Sequence, residues 1–224
     1  MKEMADTVFL FDVDNTLLDN DQVQAEMGVH LAKYYGEATR DRFWQLFEKL
    51  RSELGYSDYL GALELYRLED LHDPSLLRLG NWLVDYPFQE RLYPDALTVV
   101  EKARRAGTAV ILSDGDAVFQ PRKVERSGLW AAFDDNVLIY VHKELELDDV
   151  EHHFPARHYV MIDDKPRILD AIKRVWGDKV TTVFPRQGRY ATDAAALAEY
   201  RPADISIERI GDLLKHDLAA LARR

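Results

Sequence analysis

Five short apolar runs, four of them followed at once by a polar or acidic residue, constrain this chain more than anything else in it. They are TVFLFDV (7–13), TAVIL (108–112), VLIYV (137–141), YVMI (159–162) and VTTVF (180–184). None alternates apolar with polar, so each reads as a strand buried on both faces, the pattern of a parallel sheet. Residues 117–127 and 166–176 carry helical patterns between them. In the second, Ile168, Leu169, Ile172 and Trp176 fall on one side. Strand then helix, repeated, predicts an α/β fold with an open parallel sheet and right-handed crossovers.

One stretch breaks the alternation. From 21 to 86 the apolar spacing is helical throughout: Val23, Met27, Leu31 and Tyr34; Phe43, Leu46, Phe47, Leu50 and Leu54; Leu76, Leu79, Leu83 and Tyr86. Gly55 and the Asp73-Pro74 pair supply stops and starts between helices. The reading is an all-helical cap over 19–89, inserted after the first strand into a core made of 1–18 and 90–224. A bundle entering there sits over that strand's carboxyl end, where a lid would sit.

Ligands of open α/β sheets bind outside the carboxyl ends of the strands. That rule selects Asp12, Asp14, Ser113, Lys143, Asp163 and Asp164. If the first strand continues through them, Asp12 and Asp14 share one face. Together with Asp163 and Asp164 they make two acidic pairs at strand ends, tolerable where a divalent cation neutralises them. Magnesium, which prefers oxygen ligands, suits carboxylates plus a substrate phosphate. The competing readings are a solvated Asp- and Asn-rich turn for DVDNT and an N-cap role for Asp163 or Asp164 on the helix near Pro166. Ser113 and the N–H groups of Asp114 and Gly115 are placed to hold a phosphate oxygen. Lys143 is placed to offset the charge of the aspartates. Its rival Lys123 ranks lower because it lies inside a predicted helix.

The motif order, DVDNT (12–16), Ser113, Lys143, then Asp163 and Asp164, resembles the haloacid-dehalogenase superfamily. The spacing fits as well, with 30 residues from serine to lysine and 20 from lysine to the acidic pair. The resemblance covers about 7–187 and implies a Rossmann-like core with a helical cap. It further implies Asp12 as nucleophile, Asp14 as general acid and base, and Lys143 as the nucleophile's anchor. Thr16, Ser113, Asp114 and Lys143 become the substrate-binding set. A magnesium ion would be held by Asp12, the backbone carbonyl of Asp14, Asp163 and Asp164. An acid at position 14 favours a phosphatase acting on a small phosphorylated metabolite, disfavours a dehalogenase, and leaves a phosphomutase or a non-catalytic relative as alternatives. Adjacent acids at 163 and 164 depart from the family's common pattern; Asp170 lies too far into its helix to serve there.

With 224 residues, 47% hydrophobic and 31% charged, the composition is globular, and the net charge of −11 argues against nucleic acid as a partner. Cysteine is absent, which excludes a thiol nucleophile, thiolate zinc and disulfides. The N-terminal apolar stretch is too short for a secretory segment or a membrane span, so the chain reads as cytoplasmic. His142, His152, His153 and His158 read as surface or packing residues. Arg186, Gln187, Gly188 and Arg189 read as a basic loop, and Trp44, Tyr56, Tyr59, Tyr66 and Trp82 as bundle core before pocket.

Overall fold

The computed structural model describes residues 4–69 and 71–221. Six parallel strands form one sheet: β1 (Ala5–Phe11), β2 (Thr108–Asp114), β3 (Val137–Tyr140), β4 (Ala156–Ile162), β5 (Val180–Pro185) and β6 (Ile205–Ile207). Their order is β3-β2-β1-β4-β5-β6. The first strand is therefore central, and the order reverses beside it, which makes its carboxyl end the switch point where a crevice opens. No helix among the described residues is long and apolar enough to cross a membrane.

Period-two alternation divides the strand side chains between two cores. Phe9, Phe11, Ile111, Val160, Ile162 and Val183 face one layer, with helices α5 (Ala96–Ala106), α6 (Phe119–Arg126), α7 (Leu129–Ala132) and α11 (Leu218–Leu221). Val8, Leu10, Val110, Leu112, Tyr159 and Met161 face the other, with α8 (Leu147–His153) and α9 (Pro166–Trp176). A short helix, α10 (Ala194–Glu199), joins β5 to β6.

The interruption after β1 comprises α1 (Asn20–Tyr35), α2 (Glu37–Leu54), α3 (Tyr59–Glu69) and α4 (Leu76–Asp85). Gly55 ends α2 in the left-handed conformation at φ 81°, and Asp73 Oδ1 accepts from Ser75 N (2.8 Å) just ahead of α4. Val23, Met27, Leu31, Phe43, Phe47, Leu79 and Leu83 bury the bundle's interior. That interior is continuous with one layer of the core. Tyr59 from α3 packs against Phe119 from α6 with ring centres 4.9 Å apart and the rings tilted by 42°. The two connections between insert and core run side by side: Asp19 N donates to Arg91 O (2.8 Å) and Tyr93 N to Leu17 O (2.9 Å).

Several sequence expectations shift. The first strand spans Ala5–Phe11, so it ends before Asp12, and the strand expected over 137–141 stops at Tyr140. β6 was not foreseen, because three residues flanked by polar chain carry too little pattern to stand out. Of the aromatic residues in the insert, Tyr59 is fully buried, while Trp44, Tyr66 and Trp82 pack against the core as partly buried side chains. His158 is buried against Thr181 Oγ1 at 2.9 Å, and His153 lies 3.6 Å from Asp149.

Candidate active site

Asp12 follows the last residue of β1, and its N–H still donates to Ile162 O of β4 at 2.9 Å. This one added rung holds the side chain at the sheet's edge, where it is 1% exposed. Asp12 Oδ1 accepts from Lys143 Nζ at 2.5 Å and from Ser113 Oγ at 3.4 Å. Asp12 Oδ2 is buried with no hydrogen-bond partner. Lys143 opens a 3₁₀ turn after β3 and is fully buried; its Nζ also donates to Leu112 O (3.1 Å) and lies 2.6 Å from Asp163 Oδ2.

Asp163 and Asp164 leave β4 on the other side of Asp12. Neither caps α9, whose first turn receives no side-chain bond. Asp163 Oδ1 instead accepts from the N–H of Lys165 at 2.8 Å. Thr16, expected at the substrate, is fully buried, and its hydroxyl accepts from Asp164 N at 3.1 Å, the position of a support for the acidic loop. Asp12, Asp163 and Asp164 offer ligand atoms within 4.8 Å of one another, all three buried. Both oxygens of Asp164 and Oδ2 of Asp163 lack a well-directed hydrogen bond.

A buried carboxylate must be paired or neutralised, and protonation is the alternative. Burial raises Asp12 from 3.8 to about 6, with Lys143 opposing the rise and Asp163 adding to it. Asp164 is raised well above 3.8, first by burial and then by the charge of Asp163. Burial alone would push Lys143 down, yet Asp12, Asp163 and Asp114 carry it above the ordinary lysine range. Burial works against ionised Asp114, but Lys143 and Lys165 bring it below the ordinary aspartate value. The two unpartnered oxygens of Asp164, crowded beside Asp12 and Asp163, fit a hard divalent cation, which takes carboxylate oxygens readily and removes the penalty of crowding them.

Asp14 does not share Asp12's surroundings. The chain turns at Asn15, which adopts φ 57°, and Asp14 points to Lys123, whose Nζ donates to Oδ1 at 2.7 Å and to Oδ2 at 2.9 Å. Its carboxylate therefore stands outside the acidic cluster, because the strand ends before it. Gln120 Nε2 links the two halves, donating to Ser113 Oγ at 3.0 Å and to Asp14 Oδ2 at 3.4 Å. The N–H of Gly115, expected at a phosphate, is taken by Tyr140 O at 2.9 Å. Asp114 accepts from Lys143 N at 2.8 Å through Oδ1 and lies 3.6 Å from Lys165 Nζ through Oδ2.

A cavity of about 410 Å³ opens over this edge. Asp14, Asp114 and Lys165 line its floor, Arg51 and Tyr56 of the insert line one wall, and Arg189 lines another. Arg189 comes from the loop after β5, which is pinned to the loop after β1: Gln187 Nε2 donates to Asn15 O (3.2 Å) and Thr16 O (3.1 Å), and Arg189 N donates to Asp21 Oδ2 (2.8 Å). Sequence reasoning ranked Lys123 below Lys143, read Gln187 as part of a basic loop, and did not name Gln120 or Lys165. Lys123 had a usable signal, since it falls four residues after Phe119 on the apolar side of α6, where a solvated lysine does not belong.

Fold and site together put the chain among the α/β proteins with an open parallel sheet and an acidic site at the carboxyl ends of its strands. The particular family follows from comparison: the haloacid dehalogenase-like hydrolase family matches residues 7–179, and the chain belongs to it. A crystal structure of a haloacid dehalogenase-like hydrolase from Burkholderia xenovorans is 56% identical, covers 95% of this chain and 99% of its own, and superposes with a TM-score of 0.91. The L-2-haloacid dehalogenase of Xanthobacter autotrophicus (18% identity, 94% and 98% covered, TM-score 0.62) shares the fold. So does a magnesium-bound hydrolase of the family from Bacillus subtilis (14%, 94% and 97%, TM-score 0.60). Among curated proteins there is no match.

Proposed function

We propose that the protein is a magnesium-dependent phosphatase acting on a small phosphate monoester. The observation that carries this reading is the crowding of Asp12, Asp163 and Asp164 within 4.8 Å, buried, with carboxylate oxygens left without partners. Hydrolysis of a neutral carbon–halogen bond gives no reason to assemble so much buried negative charge. Transfer of a phosphoryl group does, because a cation shared by acids and phosphate offsets both.

Asp12 Oδ2 is the nucleophile, since Oδ1 is held by Lys143 and Ser113 while Oδ2 has no competing bond. It attacks phosphorus as the ester P–O bond breaks, and Asp14 gives its proton to the leaving oxygen. The resulting phospho-Asp12 is hydrolysed by a water whose proton Asp14 takes back, releasing phosphate and the Asp12 carboxylate. Lys143 fixes the nucleophile, and Ser113 and Asp114 meet the phosphoryl group. Held by Asp12, Asp163, Asp164 and the Asp14 carbonyl, magnesium supplies charge neutralisation when bound. Thr16 keeps its place in the proposal by holding the Asp164 backbone.

The test is release of phosphate from a panel of phosphorylated metabolites with magnesium, beside release of halide from short haloacids. Wild type should liberate phosphate, and Asp12→Asn should lower that rate by at least about 10⁴-fold without unfolding, a loss of the size seen on removing a nucleophile. Halide release in place of phosphate would replace this reading with a dehalogenase. Transfer between sugar hydroxyls without net phosphate release would replace it with a mutase.

A further inference from the structure

Lys123 is a lysine with no solvent exposure whose ammonium meets Asp14 and the helical insert together. Its Nζ donates to both Asp14 oxygens (2.7 and 2.9 Å) and to Asn20 Oδ1 (3.1 Å), Asn20 being the first residue of α1. The remaining surroundings are apolar or neutral: Nζ lies 5.4 Å from the centre of the Phe119 ring and 5.9 Å from that of Tyr59. The Tyr59 hydroxyl receives Asn20 Nδ2 at 3.4 Å and Gln24 Nε2 at 2.8 Å. Among the described residues, Asp14 is the only carboxylate paired with this ammonium.

Burying a lysine is costly unless every donor is used, and here all three bonds go to the junction between core and insert. The same fold gives Asp12 its own lysine, Lys143, so Lys123 is not needed to charge-balance the nucleophile. Two bonds to one carboxylate fix its plane and its rotamer, as a single bond would not. We infer that Lys123 is a positioning residue: it holds Asp14 in the orientation for proton transfer to the leaving oxygen and ties that orientation to the seating of α1 and α3. This inference rests on the phosphatase reading, in which Asp14 is the acid.

Leaving groups separate positioning from general damage. An alkoxide needs a proton as the P–O bond breaks, whereas p-nitrophenolate leaves without one, so a displaced acid slows ethyl phosphate far more than p-nitrophenyl phosphate. The experiment compares kcat and KM of wild type, Lys123→Met, Lys123→Arg and Asp14→Asn on these two esters with magnesium. Lys123→Met should lose about 100-fold in kcat on ethyl phosphate and less than about tenfold on the aryl ester, with KM little changed on either. Asp14→Asn should show the same selective loss, and Lys123→Arg should recover part of it.

Should Lys123→Met fail to fold, the double variant Asp14→Asn/Lys123→Met, neutral on both sides, takes its place. Rates equal to those of Asp14→Asn alone support the inference; a further tenfold loss on both esters overturns it. Equal losses on the two esters in Lys123→Met would likewise overturn it while leaving the phosphatase reading intact. Wild type that hydrolyses neither ester, nor any of the panel, removes both.

Discussion

Gly188 leaves β5 at φ 65° and passes so close to Asn15 that a Cβ there would lie 2.6 Å from the Asn15 Cβ. Asn15 is the residue that turns the chain between Asp14 and Thr16, and its side-chain oxygen accepts from the N–H groups of Asn20 (3.0 Å) and Asp21 (3.1 Å). Gly188→Ala therefore meets two penalties at once, a left-handed backbone and an overlap with a fixed partner. It should cost about 2 kcal/mol and lower phosphate release by displacing the loop after β1. Urea unfolding checks the first; a midpoint within error of wild type would mean that the two loops are not packed as described. Asp12 and Lys143 were legible in the sequence because each follows a recognisable strand. The place of Lys123 on the apolar side of α6 was legible too, but its pairing with Asp14 was not, since that partner lies 109 residues away.

Among the elements, α9 illustrates a local pattern that survives folding unchanged. Pro166 stands in its first turn, where its missing N–H costs nothing, and Gly177 ends it. Ile168, Leu169 and Ile172 are buried on the sheet, and Trp176 stacks on Tyr159 at 4.3 Å. Ile172→Ala should destabilise by roughly 2–5 kcal/mol, measured by denaturant midpoint, and a loss below about 1 kcal/mol would show that the neighbouring layer collapses into the space. Residues 166–176 were read from sequence end to end for these reasons. The helix expected over 117–127 begins instead at Phe119, after Asp116 Oδ1 has accepted from the N–H groups of Val118 (2.8 Å) and Phe119 (2.6 Å). The insert's helices were visible through their spacing, but spacing carries no information on which faces meet. The Tyr59 and Phe119 contact across its boundary is a product of assembly.

At the scale of the whole molecule, 40 acidic residues against 29 basic ones leave a chain of net charge −11, and folding concentrates part of that excess at one point in the interior. Asp12 and Asp164 both have raised folded pKa values, so the unfolded chain ionises first. As pH climbs from about 4 to about 6, that difference removes stability from the metal-free protein, and the deficit persists above it. A divalent cation bound to the ionised acids works in the opposite direction. Magnesium should therefore raise Tm more at about pH 7 than at about pH 5, read by thermal unfolding with metal and with chelator. Equal shifts at both pH values, or none, would mean that these acids do not hold the ion. The sequence by itself determined the strand and helix alternation, the site of the insert and the acids and lysine at the strand ends, because hydrophobic periodicity and strand ends are local properties. Only the tertiary structure decided that Asp14 turns from Asp12 to Lys123, that Thr16 supports Asp164, and that the loop after β5 closes the cavity, because those partners are brought together by the order of strands in the sheet and not by their separation along the chain.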